Sequence, residues 1–189
     1  MIDKIYGSRF EPPSHLNKED KLRWLMKVYG NDVIRIAYTY LRQKSLAEDV
    51  AQDVFIKCFE KLDTFQNKSS YKTWLIRITV NRCKDVLKSR SFKNLFITDF
   101  FSPKEQEQLV TSTEHQLLVV EENELISKQV MGLPIKLREV IILFYYQDFS
   151  IEEISELLKI NSNTVKTRLH RGRLKLKEVF EGEWAINGK

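Results

Sequence analysis

Apolar residues along this chain recur every third or fourth position, never in strict alternation, so the pattern predicts helices from end to end. Asn17 is a capping residue. Behind it, Leu22, Leu25, Met26 and Tyr29 predict a helix from near Lys18. Gly30 predicts a break or kink, after which Val33, Ile36, Ala37, Tyr40 and Leu41 continue the pattern in a second segment. Gln43 and Lys44 read as a turn. Ser45 and Glu48 stand at capping-box spacing and open a helix from Leu46 to about Leu62. Its apolar stripe is Val50, Val54, Cys58 and Leu62, with Phe55 and Phe59 on the flank. The polar loop from Asp63 to Ser70 follows. Ser69 or Ser70 caps a helix from Tyr71 to about Arg90, with Trp74, Leu75, Ile78 and Val86 on its buried side.

Residues 92 to 121 show no period. A structureless stretch of about thirty residues exceeds the ~12–15 usual inside one compact domain, so it reads as a linker. Its apolar cluster, Leu95, Phe96, Ile97, Phe100 and Phe101, is unusual for a free tether. A helix from about Glu122 to Met131 follows. Leu133-Pro134 then opens another with proline at its first position. Leu137, Val140, Ile141, Phe144 and Tyr145 form the apolar side of that helix. Ser150 and Glu153 make a capping box before Ile151, Ile154, Leu157 and Leu158. Lys159-Ile160-Asn161 is a turn. Ser162 caps a last helix with Val165, Leu169, Leu174 and Leu176 as apolar positions. The expected fold is all-α. Residues 1–17 form a loose tail, kept from helix by Pro12 and Pro13. Helical domains span 18–91 and 122–181, a flexible linker joins them over 92–121, and a short tail covers 182–189.

Charge sharpens this picture through its placement. The formal net charge of +5 is mild, yet no acid interrupts Asn161 to Lys177. That run carries Lys166, Thr167, Arg168, His170, Arg171, Arg173, Lys175 and Lys177. A short helix, a turn and a basic second helix form a helix-turn-helix, whose second helix enters the DNA major groove. Arg and Lys there pair with guanine edges or phosphates. A second basic element lies in the first half. Arg77, Asn81, Lys84 and Lys88 line one stripe of their helix, with Lys72, Arg82 and Arg90 nearby. Phe65 and Asn67 in the adjoining loop suit exposed bases, since aromatics stack on them and cations hold the backbone.

The outward face with Glu48, Asp49, Gln52 and Asp53 is acidic. Asp49 and Asp53 stand one helical turn apart, but no His or third acid completes a metal set. A face that is solvated or meets a protein partner fits better. No metal or other cofactor is expected, nor a small-molecule substrate. The chain has two cysteines, Cys58 and Cys83, outside any CxxC pair, which reads as reduced thiols. No signal-like segment opens the sequence, and no apolar run approaches the ~20 residues that span a bilayer. A cytoplasmic protein is expected.

Three stretches now stand in a recognisable order: AEDVAQDVFIKCFEKLDTF (47–65), YKTWLIRITVNRCKDVLKSR (71–90) and LPIKLREVIILFYYQDFSIEEISELLKINSNTVKTRLHRGRLKLKE (133–178). Together they resemble the bacterial extracytoplasmic-function (ECF) sigma factors of the sigma-70 family, which are two-domain initiation subunits of RNA polymerase. The resemblance implies a region 2 domain and a region 4 helix-turn-helix domain. It implies that Asp49, Gln52, Asp53 and Phe55 bind the clamp coiled coil of the polymerase's largest subunit. It implies that Phe65, Asn67, Lys72, Trp74, Arg77, Asn81, Arg82 and Lys84 serve the −10 element, where a base is extruded. Trp74 and Asp85 also suit structural roles. In the second domain it implies that Asn163, Thr164, Lys166, Thr167, Arg168, His170 and Arg171 serve the −35 element, with Arg138 and Arg168 steadying the fold or touching phosphates. Core RNA polymerase, including its flap region, promoter DNA and an anti-sigma factor are the implied partners.

Two positions depart from the family pattern. Lys159 stands where a small residue is usual, and a positive φ there would strain it. Ser155 stands in place of alanine at the helix crossing.

Two other readings compete. A stand-alone helix-turn-helix regulator with a sensory N-terminal domain would bind duplex DNA by itself. A nucleic-acid enzyme using Asp49 and Asp53 would need a nucleophile, a metal triad or a glycine-rich phosphate loop, and the sequence carries none of these. No catalysis is expected.

Overall fold

A computed structural model describes residues 11–89 and 120–187. Among the described residues lie seven α-helices and no strand, so the chain is all-α. They are α1 (Lys18–Leu41), α2 (Lys44–Lys61), α3 (Tyr71–Lys88), α4 (Val120–Gly132), α5 (Ile135–Tyr145), α6 (Ile151–Leu158) and α7 (Ser162–Asn187). A single 3-10 turn, Leu62–Thr64, follows α2. The chain divides into two units between Ser102 and Pro103. The expected linker and its apolar cluster lie outside the described residues until α4 begins at Val120.

In the first unit, α1, α2 and α3 pack around Leu25, Val33, Ile36, Val54, Cys58, Leu75, Ile76 and Val80. Burying one such aliphatic side chain is worth about 1.5–3 kcal/mol, so this cluster sustains the three helices. Asn17 caps α1, its Oδ1 accepting from the Asp20 amide at 2.8 Å. The helix then runs through Gly30 without a break, unlike the expectation of a kink. One glycine costs a helix roughly 0.5–1 kcal/mol, far less than the apolar face on either side of it supplies. α1 ends at Arg42, which adopts a left-handed φ of 56° and donates its amide to the Tyr38 carbonyl at 2.9 Å. That sharp stop brings α2 in at Lys44, with Gln43 at the cap position and no side-chain capping bond. The Ser45–Glu48 capping box therefore does not form.

The buried side of α3 is rotated from the expected one. Leu75, Ile76, Thr79, Val80 and Cys83 face the core, while Trp74, Ile78 and Val86 are only half-buried. Threonine is why the sequence misleads here. The Thr79 hydroxyl donates to the Leu75 carbonyl at 2.8 Å, so the residue satisfies itself within the helix and can be buried. Thr39 does the same in α1, toward the Arg35 carbonyl. Phe55 is core rather than flank, and Met26 is exposed. Part of the expected tail is docked: Pro12 is buried, and the Leu16 amide donates to the Pro13 carbonyl at 3.2 Å. Residues 1–10 lie outside the described residues.

In the second unit, Val140, Ile141 and Leu143 of α5 meet Ile154 and Leu157 of α6 and Val165 and Leu169 of α7. The Ser150–Glu153 capping box is complete, with both reciprocal bonds formed. Asn161, rather than Ser162, caps α7: its Oδ1 accepts from the Asn163 amide at 2.8 Å. The apolar stripe of α7 continues to Gly172, not Leu174. A Cβ at Gly172 would stand 2.9 Å from Ile141 Cγ1, so only glycine permits this approach of α7 to α5. Leu174 is exposed, as is Tyr145, although both were expected on the apolar sides of their helices. α7 also continues to Asn187, past the expected end at 181. Pro134 is the cap residue of α5 rather than its first helical residue.

Gly30→Ala tests the unbroken helix. Nothing lies within 4 Å of the added Cβ, so the substitution should stabilise the first unit by about 0.5–1 kcal/mol. Chemical denaturation would read it, and a loss of stability would mean that Gly30 supports a bend.

Candidate nucleic-acid interface

Three rings meet at the start of α3. Ser70 caps the helix, its Oγ accepting from the Thr73 amide at 3.1 Å. The first helical residue, Tyr71, and Trp74 one turn on share a face. Phe65 reaches back from the loop onto both, with centroids 4.5 Å from Tyr71 and 4.7 Å from Trp74. Asn67, two residues past Phe65, takes a left-handed φ of 52°, a conformation asparagine tolerates. Beside the rings lies a cavity of about 330 Å³, lined by Lys18, Lys21, Asp63, Phe65, Asn67 and Tyr71. Lys18 Nζ is held at 2.6 Å from Asp63 Oδ2 and 4.6 Å above the Phe59 ring. The Tyr71 hydroxyl is pushed up from its ordinary pKa by burial first, then by Glu11 and Cys58.

Of the residues expected to serve exposed bases, Phe65 and Asn67 line the cavity, and Trp74 reaches it only through its stack on Phe65. Lys72, Arg77 and Lys84 are half-buried along α3, and Asn81 is exposed. Arg82 has another engagement. Its Nη2 lies 2.6 Å from Asp53 Oδ2 on α2, and its Nε donates to the same oxygen at 2.8 Å. The sequence had assigned these two residues to different surfaces, but the structure joins them. Asp49 and Gln52 remain exposed on α2. Phe55, 7% exposed, offers no contact surface, because it lies one turn (i+4) beyond the buried Ala51, on the core side of α2.

Tyr71, Asp63, Lys18 and Lys21 were missed. Tyr71 was legible as the i−3 neighbour of Trp74 behind a serine cap. Nothing local connects Lys18 and Lys21 to a loop more than forty residues away, and only the packing of α1 brings them there.

In the second unit, Lys159 takes a left-handed conformation, with φ 56°. Ser155 locks that turn: its Oγ donates to the Ile160 carbonyl at 2.6 Å. The turn aims α7 so that Asn163, Thr164, Lys166, Thr167, His170 and Arg171 are exposed. Arg168 is not among them. Its Nη1 sits 2.9 Å from Glu139 Oε1, with the two side chains 20% and 6% exposed, so it clamps α7 to α5. Arg138 is buried as well and donates to the Met131 carbonyl at 2.5 Å, tying the end of α4. An apolar groove of about 350 Å³ opens between Ile126, Val130, Ile141, Tyr145, Tyr146 and Leu176, with Arg173 beside it. The Arg173 guanidinium lies over the Phe144 and Tyr145 rings, at 6.0 and 5.7 Å.

A small helical bundle with an aromatic-walled cavity, together with a basic helix-turn-helix, defines a two-module nucleic-acid-binding protein. The sequence model of sigma-70 region 2 matches residues 25–92, and that of sigma-70 region 4 matches 123–176. The ECF RNA polymerase sigma factor SigW of Bacillus subtilis is 30% identical over 172 residues, covering 85% of this chain and 89% of that protein. SigM of the same organism is 28% identical, covering 82% and 93%. The sigma factor RpoE of Bartonella quintana, solved with the anti-sigma factor NepR, superposes with a TM-score of 0.68 at 24% identity, covering 86% and 98%. CnrH, solved with the cytosolic domain of CnrY, gives 0.60 at 21% identity, covering 87% and 90%. The chain belongs to the ECF sigma factors of the sigma-70 family, the subunits that direct RNA polymerase to promoters. Among the described residues, no helix is long and apolar enough to cross a membrane.

Two predictions follow from this geometry. Arg168→Ala removes the cation 2.9 Å from the buried Glu139 carboxylate and should destabilise the second unit by about 3 kcal/mol. Arg171→Ala, on the exposed face, should change stability by no more than about 0.5 kcal/mol. Equal losses in denaturation of the two variants would contradict the division. Burial also raises both thiols, Cys58 and Cys83, to about 12 from 9.0. The unfolded thiols lose their protons first, so their contribution to stability is complete below pH 9 and is lost as pH rises toward 12. At pH 8 neither thiol should react with iodoacetamide until the chain is unfolded, and fast labelling of the folded protein would overturn this.

Proposed function

We propose that the protein performs no reaction of its own and works in the cytoplasm, as the promoter-reading subunit of RNA polymerase. The observation that carries this reading is the Phe65–Tyr71–Trp74 stack beside an open cavity. An aromatic wall with cations around it holds an unpaired base, and a reader of intact duplex has no use for one. In this reading Phe65, Asn67 and Trp74 capture a base extruded from the −10 element. Lys72, Arg77, Asn81 and Lys84 follow the displaced strand. Asp49 and Gln52 meet the clamp coiled coil of the polymerase, and Asp53 stands at the border of the two surfaces through Arg82.

In the second unit, Asn163, Thr164, Lys166, Thr167, His170 and Arg171 enter the −35 major groove, with Arg168 holding the helix that carries them. The apolar groove edged by Tyr145 and Tyr146 receives the polymerase flap region. A protein that masks these surfaces, an anti-sigma factor, is a further partner; the RpoE neighbour above was solved with one. The domains implied are 18–91 and 122–181, with 92–121 between them.

The stand-alone regulator finds no support in the first unit, whose cavity is walled by rings and charges at a surface rather than closed within a sensory core. Binding separates the two. The purified chain should bind a promoter fragment weakly, and adding core polymerase should raise promoter affinity at least a hundredfold. High affinity without polymerase would favour the regulator. Arg171→Ala in the holoenzyme should cost −35 use about 1–3 kcal/mol, while unchanged transcription would remove that residue from the contact.

A further inference from the structure

The stack explains capture of a base but not a choice among bases, because every base offers a π-face. Choice must come from the polar groups around the cavity. Asp63 brings a carboxylate, which only accepts hydrogen bonds. Lys18 engages its Oδ2, and the side chain is 67% exposed, which leaves Oδ1 able to accept from a ligand. Lys21 lies one turn beyond Lys18 on the same face of α1 and has no ion-pair partner among the described residues. Its ammonium only donates. Asn67 donates and accepts, so it favours no class. The cavity therefore sets one acceptor-only group near one donor-only group, beside two rings.

We infer that Asp63 and Lys21 make this cavity selective for a base bearing an exocyclic amine, and make it reject thymine. The inference rests on the reading of the cavity as the −10 base site. The amine of cytosine, adenine or guanine donates to the Asp63 carboxylate, as carboxylates accept from cytosine N4 in duplex readout. Lys21 donates to the neighbouring ring nitrogen or carbonyl. Thymine offers a carbonyl where cytosine offers its amine, so that oxygen faces Asp63 Oδ1 with like partial charge and leaves Oδ1 without a donor, while Oδ2 stays with Lys18. Unpaired polar groups are what give a site its discrimination. α1 is thus a specificity element, although it lies far from the loop in sequence.

The test uses holoenzyme and promoter fragments that carry single replacements at each −10 position of the non-template strand. The most direct pair is 5-methylcytosine against thymine, which keep the same methyl group and differ in amine for carbonyl at C4 and in the proton on N3. At the captured position wild type should prefer 5-methylcytosine by about tenfold or more. Asp63→Asn should bring that preference within about twofold, since an amide can pair with either base. Lys18→Gln breaks the clasp on Asp63 but keeps the carboxylate. It should weaken all bases alike and leave the preference in place, which a merely structural role for Asp63 would not produce. A wild-type holoenzyme indifferent to the exchange, or an Asp63→Asn variant with the preference intact, overturns the inference. Phe65→Ala separates this from failure of the reading beneath it. If Phe65→Ala leaves promoter opening unchanged, the cavity is not the base site at all. If it abolishes capture while Asp63→Asn alters nothing, only the selectivity falls.

Discussion

The ring of Phe65, seated on Tyr71 and Trp74, is the contact on which the first unit's proposed function depends. A loop has no internal reason to hold one shape, and this one carries exposed polar residues on both sides of the aromatic. Stacked aromatic pairs are worth about 0.5–1.5 kcal/mol beyond the area they bury, enough to bias a short loop toward one conformation. The 3-10 turn after α2 and the left-handed Asn67 then have a fixed point to turn about. The stack also stands between two anchored helices, with Ser70 capping one and Lys18 clasping the turn after the other. In the proposed function, a base that enters meets a wall already built, so ordering the loop adds little to the cost of extrusion.

Ion pairs play two roles in this chain, and burial tells them apart. Glu139 and Arg168 are withdrawn from solvent and join α5 to α7, so breaking either partner leaves a charge without water. Asp53 and Arg82 are about two-fifths exposed and gain little net stability from meeting. Their interest is positional, because Asp53 belongs to the acidic face of α2 and Arg82 to the basic side of α3. A partner that draws Asp53 away leaves Arg82 available to a phosphate. Polymerase engagement and strand engagement therefore share one contact in the proposed function.

Much of this was readable from the chain, and the rest failed for definite physical reasons. The period of apolar residues gave the helices, and the capping residues Asn17, Ser70 and Ser150 marked where several begin. The basic run of α7 and the turn at Lys159 were also legible. Faces were harder. Thr79 is buried because its hydroxyl bonds its own helix, which no hydropathy pattern records. Leu174 and Tyr145 are apolar yet exposed, since Gly172 rather than a large residue meets Ile141 and sets the phase of α7 against α5. Among site residues, charge alone did not distinguish Arg171, which faces solvent, from Arg168, which holds Glu139. The walls given by Lys18 and Lys21 arise only from tertiary packing, so no local pattern pointed to them.

Cross-linking tests the central claim most directly. Promoter DNA carrying 5-iodocytosine at successive −10 positions of the non-template strand would be irradiated in complex with holoenzyme. The account predicts that one position couples to the segment holding Phe65, Tyr71 and Trp74, and that coupling disappears without core polymerase. Efficient coupling from the isolated chain, or coupling at every position that avoids this segment, would contradict it.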